Sequence, residues 1–202
     1  MNKFIAFEGC DRVGKETQLN MLKSTLSDMG YKVKSYSFPN YGQSPIADII
    51  DALLHDHSVF PEYDPLVAEL LFTADKQKAN KSILRDLEEG NIVLADRHYY
   101  SGLAYAMAKG LSLDWAMNMR RYLRIPEISF WLDVTPKEHV KRLARSVMLD
   151  TYEASEVMQS KVRYAYLSLA TAYDNICRID ADNSPEKVHE LILSELKRRK
   201  II

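Results

Sequence analysis

The segment from Phe4 to Thr17, F-I-A-F-E-G-C-D-R-V-G-K-E-T, constrains this chain more than any other. Its apolar start reads as a buried β-strand, a glycine-bounded loop follows, and a helix opens at Lys15. Gly9 and Gly14-Lys15 have the spacing of a phosphate-binding loop, G-x-x-x-x-G-K-[ST]. Glycine lets backbone N–H groups along Gly9, Cys10, Asp11, Arg12, Val13 and Gly14 turn inward around phosphate oxygens. The following helix points its positive dipole end at the anion, and Lys15 adds a charge for the β- and γ-phosphates. One position departs from the pattern: Glu16 stands where Ser or Thr would help hold Mg²⁺, with Thr17 next to it. Thr17 is no simple substitute, because the next helical residue points about 100° away.

Alternation of strands and helices sets the fold class. Leu19, Leu22, Leu26 and Met29 make one helical face, and Gly30 is a stop. Lys32–Phe38 reads as a strand ended by Pro39. Pro45 starts a helix with Ile46, Ile49, Ile50 and Leu53, and a longer helix runs from about Asp64 to Glu89. Asn91–Ala95 suits a central parallel strand. Helices are expected near Tyr99–Lys109 and Leu113–Leu123, then a strand over Ile128–Val134 and a helix from Pro136 carrying Val140 and Leu143. Arg145–Ser155 lacks periodicity and reads as a flap. A helix over Glu156–Asn175, a strand over Ile176–Asp180 and a helix capped by Ser184-Pro185-Glu186 complete the chain. The expectation is an α/β fold: one domain over 1–202, a central parallel sheet flanked by helices, and a short lid at about 145–155. Ligands in such sheets sit beyond the C-terminal strand ends, where Glu8-Gly9, Phe38-Pro39 and Asp96-Arg97 all fall.

Composition removes other classes. Lys and Arg number 27 against 28 Asp and Glu, so no basic excess marks a nucleic-acid binder. No window approaches the ~18 apolar residues that span a bilayer. Cys10 and Cys177 have neither metal-ligand nor disulfide-framework spacing, which points to a reducing, cytoplasmic compartment.

Four segments in order, F-E-G-C-D-R-V-G-K-E-T-Q, S-F-P-N-Y, L-L-F-T-A-D-K and A-D-R-H-Y-Y-S-G-L-A-Y, resemble the thymidylate kinase family over nearly the full length. The resemblance implies a P-loop kinase fold, transfer of the γ-phosphate of ATP to dTMP with Mg²⁺ accompanying the ATP, and a homodimer. It implies roles residue by residue. Lys15 neutralises ATP phosphates. Arg12 matches the subtype whose loop arginine stabilises the transferring phosphoryl group, and Arg145 is a further candidate. Asp11 would meet the sugar 3′-hydroxyl, and Arg97 would clamp the acceptor phosphate, for which a planar guanidinium is suited. Asp96 would organise the metal, its waters or Arg97, and Glu16 could approach the metal through oxygen. Phe72 matches the residue stacked on thymine, and Lys76 stands where the family commonly has Arg aimed at a base carbonyl.

Phe38 and Pro39 resemble an element lining the monophosphate site. The arginine and glycine that often follow it are replaced here by Tyr41 and Ala47. Ser101 and Gly102 would join the substrate site, Tyr105 would lie over the sugar edge, Tyr152-Glu153 resembles a pair at the lid end near the monophosphate, and Arg142 is a candidate to stack on adenine. Met158 and Gln159 straddle a family base contact and are left unassigned. Two other readings stay open. One is the same chemistry on dUMP or a 5-substituted dUMP, motivated by Tyr41, Lys76 and Met158. The other is a non-catalytic nucleotide-binding homologue, motivated by Glu16.

Overall fold

The computed structural model describes residues 3–56, 58, 62–143 and 156–202. The expected lid at about 145–155, with Arg145 and Tyr152, lies outside the described residues. In chain order the elements are β1 (Lys3–Glu8), α1 (Lys15–Asp28), β2 (Val33–Ser37), α2 (Pro45–His55), α3 (Pro65–Glu88), β3 (Ile92–Asp96), α4 (Tyr99–Ala108), α5 (Leu113–Met119), β4 (Ile128–Asp133), α6 (Pro136–Leu143), α7 (Glu156–Ala172), β5 (Ile176–Asp180) and α8 (Pro185–Arg198).

All strand pairings are parallel, in the order β2-β3-β1-β4-β5. The chain leaves β1 toward β2 and β3 on one side, then crosses to β4 and β5 on the other. The switch falls at the C-terminal end of β1, so the glycine loop opens where such sheets form a crevice. Strands β1, β3 and β4 are buried nearly throughout, because helices cover both faces. Alternation along β1 divides the core. Ile5 and Phe7 join Leu22, Leu26, Val162 and Ile192 on one face, whereas Phe4 and Ala6 join Phe38, Ile83 and Leu87 on the other.

Several helix details differ from the sequence reading, among them α7 ending at Ala172, short of Asn175, and an exposed Ile49 on α2. Met29 is exposed, since α1 has already closed through Gly30. Val140 is also exposed, and His139 of α6 is buried. Helix α5 ends at Met119, short of Leu123. There the backbone switches to i→i−3 bonds, and Asn80 of α3 takes the Tyr122 carbonyl and the Arg124 N–H.

Candidate active site

Backbone geometry shapes the loop after β1. Gly9 adopts φ 137°, and a Cβ there would lie 2.8 Å from the Leu132 carbonyl oxygen, so only glycine fits against β4. Cys10 and Val13 turn their side chains into the core and leave only backbone facing the loop. Burial, then the neighbouring Asp11 charge, pushes the Cys10 thiol up to about 12, so it stays an inert thiol. Gly14, in the left-handed region, stands directly before α1. Lys15 is buried and donates from Nζ to the Cys10 carbonyl at 2.7 Å. Burial, then the Arg97 charge, lowers its pKa.

A cavity of about 730 Å³ opens beyond the strand ends. At one end are Arg12, Gly14, Lys15, Glu16, Thr17 and Arg142. At the other are Phe72, Lys76 and Gly102. Asp11, Arg97 and Tyr105 meet between them, with Phe38, Pro39, Tyr41, Asp96 and Ser101 also on the wall. The structure thus brings the distant sequence candidates together, apart from Tyr152, which lies outside the described residues. Gly9, Cys10 and Val13 stand behind the wall.

Arg97 is the hub. Its Nη1 donates to the Gly9 carbonyl at 2.8 Å and to Ser101 Oγ at 3.4 Å, and its Nη2 pairs with Asp11. Its backbone N–H donates to the Phe7 carbonyl at 2.8 Å, and its φ is 60°. Asp11 also accepts from the Tyr105 hydroxyl at 2.9 Å and from Gln159 Nε2 at 3.1 Å. Burial disfavours the Asp11 charge, but Arg97 and then Lys15 outweigh it and hold the carboxyl well below the usual range. Phe72 and Phe38 flank Lys76, whose Nζ lies 5.5 and 5.8 Å from their ring centroids and donates to the Phe72 carbonyl at 3.2 Å. Burial, then the Arg120 charge, lowers Lys76 to about 8. Phe38 serves both as cavity wall and as core. Arg142 sits at the cavity edge, where its Nη2 donates to the Ala181 carbonyl at 2.7 Å and its Nη1 to the Val13 carbonyl at 3.3 Å.

Two carboxylates in this cavity, Asp96 and Glu16, fit an Mg²⁺ ion carried on nucleotide phosphates, because such an ion takes one or two carboxylates and keeps its waters. No cluster of three metal-ligating side chains occurs among the described residues.

Sequence reasoning missed several supports. Glu8 is fully buried at the end of β1 and accepts from the N–H groups of His98 and Tyr100 and from the hydroxyls of Ser101 and Tyr166. A lone acid closing the apolar run F-I-A-F-E was the available signal. His139 reaches from α6 and donates from Nε2 to the Asp11 carbonyl at 2.7 Å, which fixes its tautomer because a carbonyl only accepts. Gln159, left unassigned, grips the Asp11 side chain.

His98 is completely buried between Phe4 and Phe38, and neither ring nitrogen has a hydrogen-bond partner among the described residues. Burial, then the Lys76 charge, lowers its pKa to about 3. The unfolded chain binds a proton there near pH ~6.5, whereas the fold rejects it. Stability therefore falls as pH drops from the unfolded value toward the folded one. Replacing His98 with Phe is expected to flatten that fall. Urea midpoints at pH 7 and pH 5 measure it, and an unchanged difference between them would refute the role given to His98.

A parallel five-stranded sheet, with a glycine loop at its switch point opening into a slot walled by an aromatic and cationic pair, defines a P-loop kinase of the nucleoside monophosphate type. Comparison with known proteins narrows the class. The thymidylate kinase family model matches residues 7–192, and the chain belongs to that family. A probable thymidylate kinase of Pyrococcus horikoshii is 33% identical over 199 residues, covering 96% of this chain and 95% of that protein. The thymidylate kinase of Acinetobacter baumannii is 33% identical over 202 residues, covering 96% and 99%. The solved thymidylate kinase from Candida albicans, an enzyme described as having broad substrate specificity, superposes with a TM-score of 0.86. It is 26% identical and covers 98% of this chain and 92% of that one.

Proposed function

We propose that this chain transfers the γ-phosphate of ATP to dTMP, giving dTDP and ADP. The observation that carries the reading is one continuous cavity joining the Lys15 loop to the Phe72–Lys76 slot, with Arg97 between them. An oxygen of the acceptor phosphate attacks the γ-phosphorus, and the bond to the β,γ-bridging oxygen breaks, so no covalent enzyme intermediate is needed. Catalysis of this kind is mostly positioning and charge stabilisation. Lys15 and Arg12 are the cations for the transferring group, Arg97 for the acceptor phosphate, Phe72 the stacking face, and Lys76 the donor toward a base carbonyl. Asp11 is the acceptor for a sugar hydroxyl. Asp96 and Glu16 are the carboxylates for Mg²⁺, which when bound neutralises charge across the β- and γ-phosphates.

The test is phosphate transfer from Mg²⁺-ATP, with dTMP, dUMP and dCMP as parallel acceptors and with ADP-only controls. Preferred formation of dTDP supports the reading and shows Glu16 compatible with turnover. ATP binding without a diphosphate from any acceptor would refute it.

We further propose a single domain over 1–202, a cytoplasmic location suited to two reduced cysteines, and a homodimer. Exposed Leu66, Leu70 and Leu84 on α3, with Tyr122 and Ile125 beyond α5, are the apolar surface that favours pairing. Sedimentation should give twice the chain mass, and Leu70→Glu should shift it to the monomer. A monomeric unaltered protein across micromolar concentrations would refute pairing.

A further inference from the structure

The base end of the cavity is held by an ion cluster that the proposed chemistry does not use. Glu69, Phe72 and Lys76 are spaced 3 and 4 along α3, one helical face. Gly102, Tyr105 and Lys109 have the same spacing along α4 and its C-cap. All six line the cavity, so two matched stripes form its walls there. Glu69 joins them: its Oε1 lies 2.8 Å from Lys109 Nζ, and its Oε2 pairs with Arg120. These three side chains are at most 2% exposed.

Arg120 reaches Glu69 by passing directly beneath Gly102. A Cβ at Gly102 would clash with the Arg120 guanidinium, so that glycine makes room for the arginine. Arg120 also donates from Nη1 to the Ala116 carbonyl at 2.9 Å, which anchors it to α5. Lys109 Nζ lies 5.7 Å from the Phe72 ring centroid and 6.0 Å from that of Tyr105, beside the stacking face on one side and the sugar edge on the other. The cluster therefore ties α3 to the C-terminal end of α4 beside the Phe72 ring.

We propose that Glu69, Lys109 and Arg120 are positioning residues that fix the width of the base slot, and so the preference between pyrimidines with and without a 5-methyl group. The inference rests on the pyrimidine monophosphate reading of this cavity. A methyl group is recognised only by a slot whose walls hold their distance, because packing contacts vanish within an ångström of slack. Loss of the Glu69–Lys109 tie releases one wall.

Calorimetric binding of dTMP, dUMP and ATP to the unaltered protein, Lys109→Met and Lys109→Arg tests this. Lys109→Met is expected to lower the dTMP-to-dUMP affinity ratio by about tenfold. ATP affinity should stay unchanged, and Lys109→Arg, which can still pair with Glu69, should restore the ratio. A lower melting temperature with an unchanged ratio would reduce the cluster to a structural role and overturn the proposal. Equal affinities for dTMP and dUMP in the unaltered protein would overturn it too. Should the methionine variant not fold, Lys109→Gln is read by the same criterion. Turnover measured alongside separates the two readings: selective binding without transfer refutes the kinase and leaves the slot standing.

Discussion

Replacing Lys15 by methionine will abolish most phosphate transfer while leaving the fold at least as stable. The ammonium is buried and donates to the Cys10 carbonyl. Its pKa is lowered by burial first and by Arg97 second, so the fold disfavours the charged form. Methionine keeps the stem and removes the charge. Loss of such a cation from the transferring phosphates should lower kcat by about 10²–10³-fold. Relief of the buried charge should leave the melting temperature unchanged or raise it by about 2–4 °C, the shift that ~1 kcal/mol produces at this chain length. Steady-state kinetics and a thermal melt measure both. A variant that melts well below the unaltered protein would make Lys15 a structural residue.

The same substitution at Arg97 has the opposite effect on stability. Arg97→Met will destabilise the protein by about 3–5 kcal/mol, because Asp11 is left with a mostly buried carboxylate facing no guanidinium. The loss has a pH signature. The Asp11 carboxyl is held below its ordinary value, so its contribution is complete above the unfolded pKa near ~3.9 and disappears as pH falls through the folded value. Arg97→Met should therefore be penalised at pH 7 and much less at the acid end. Turnover should fall with it, since the acceptor phosphate loses its fork. Urea unfolding across that range is the measurement, and a penalty independent of pH would exclude the Asp11 pairing as its source.

The sheet and the helix order were legible because β1, β3 and β4 are short apolar runs ended by an acid, while the weaker β2 is stopped at Phe38-Pro39 and β5 closes on Asp180. Most of the cavity wall was legible because its residues sit in four local motifs, with Leu54, Glu69, Lys109 and Arg142 outside them. What escaped was everything held by pairing across elements. Glu69, Lys109 and Arg120 come from three separate segments, and nothing in the local spacing near Gly102 announces an arginine beneath it. Gln159 and His139 meet Asp11 only after α6 and α7 fold beside the loop. The end of α5 escaped for the same reason, since Asn80 takes the backbone groups that a further helical turn would have used. Val140 and Met29 were misread because periodicity marks which side of a helix is apolar, but not where its covering neighbour stops.

Glu8 ties the place where one phosphate is cradled to the place where the other is clamped. It immediately precedes Gly9, and it accepts from three donors on the turn that follows Arg97, whose own N–H is fastened to Phe7. The gap between donor and acceptor subsites is thus a core dimension, as rigid as the spacing of two neighbouring strands. Substitutions around the rim can change which nucleotide is welcomed, but the distance the phosphoryl group must travel is written into the interior.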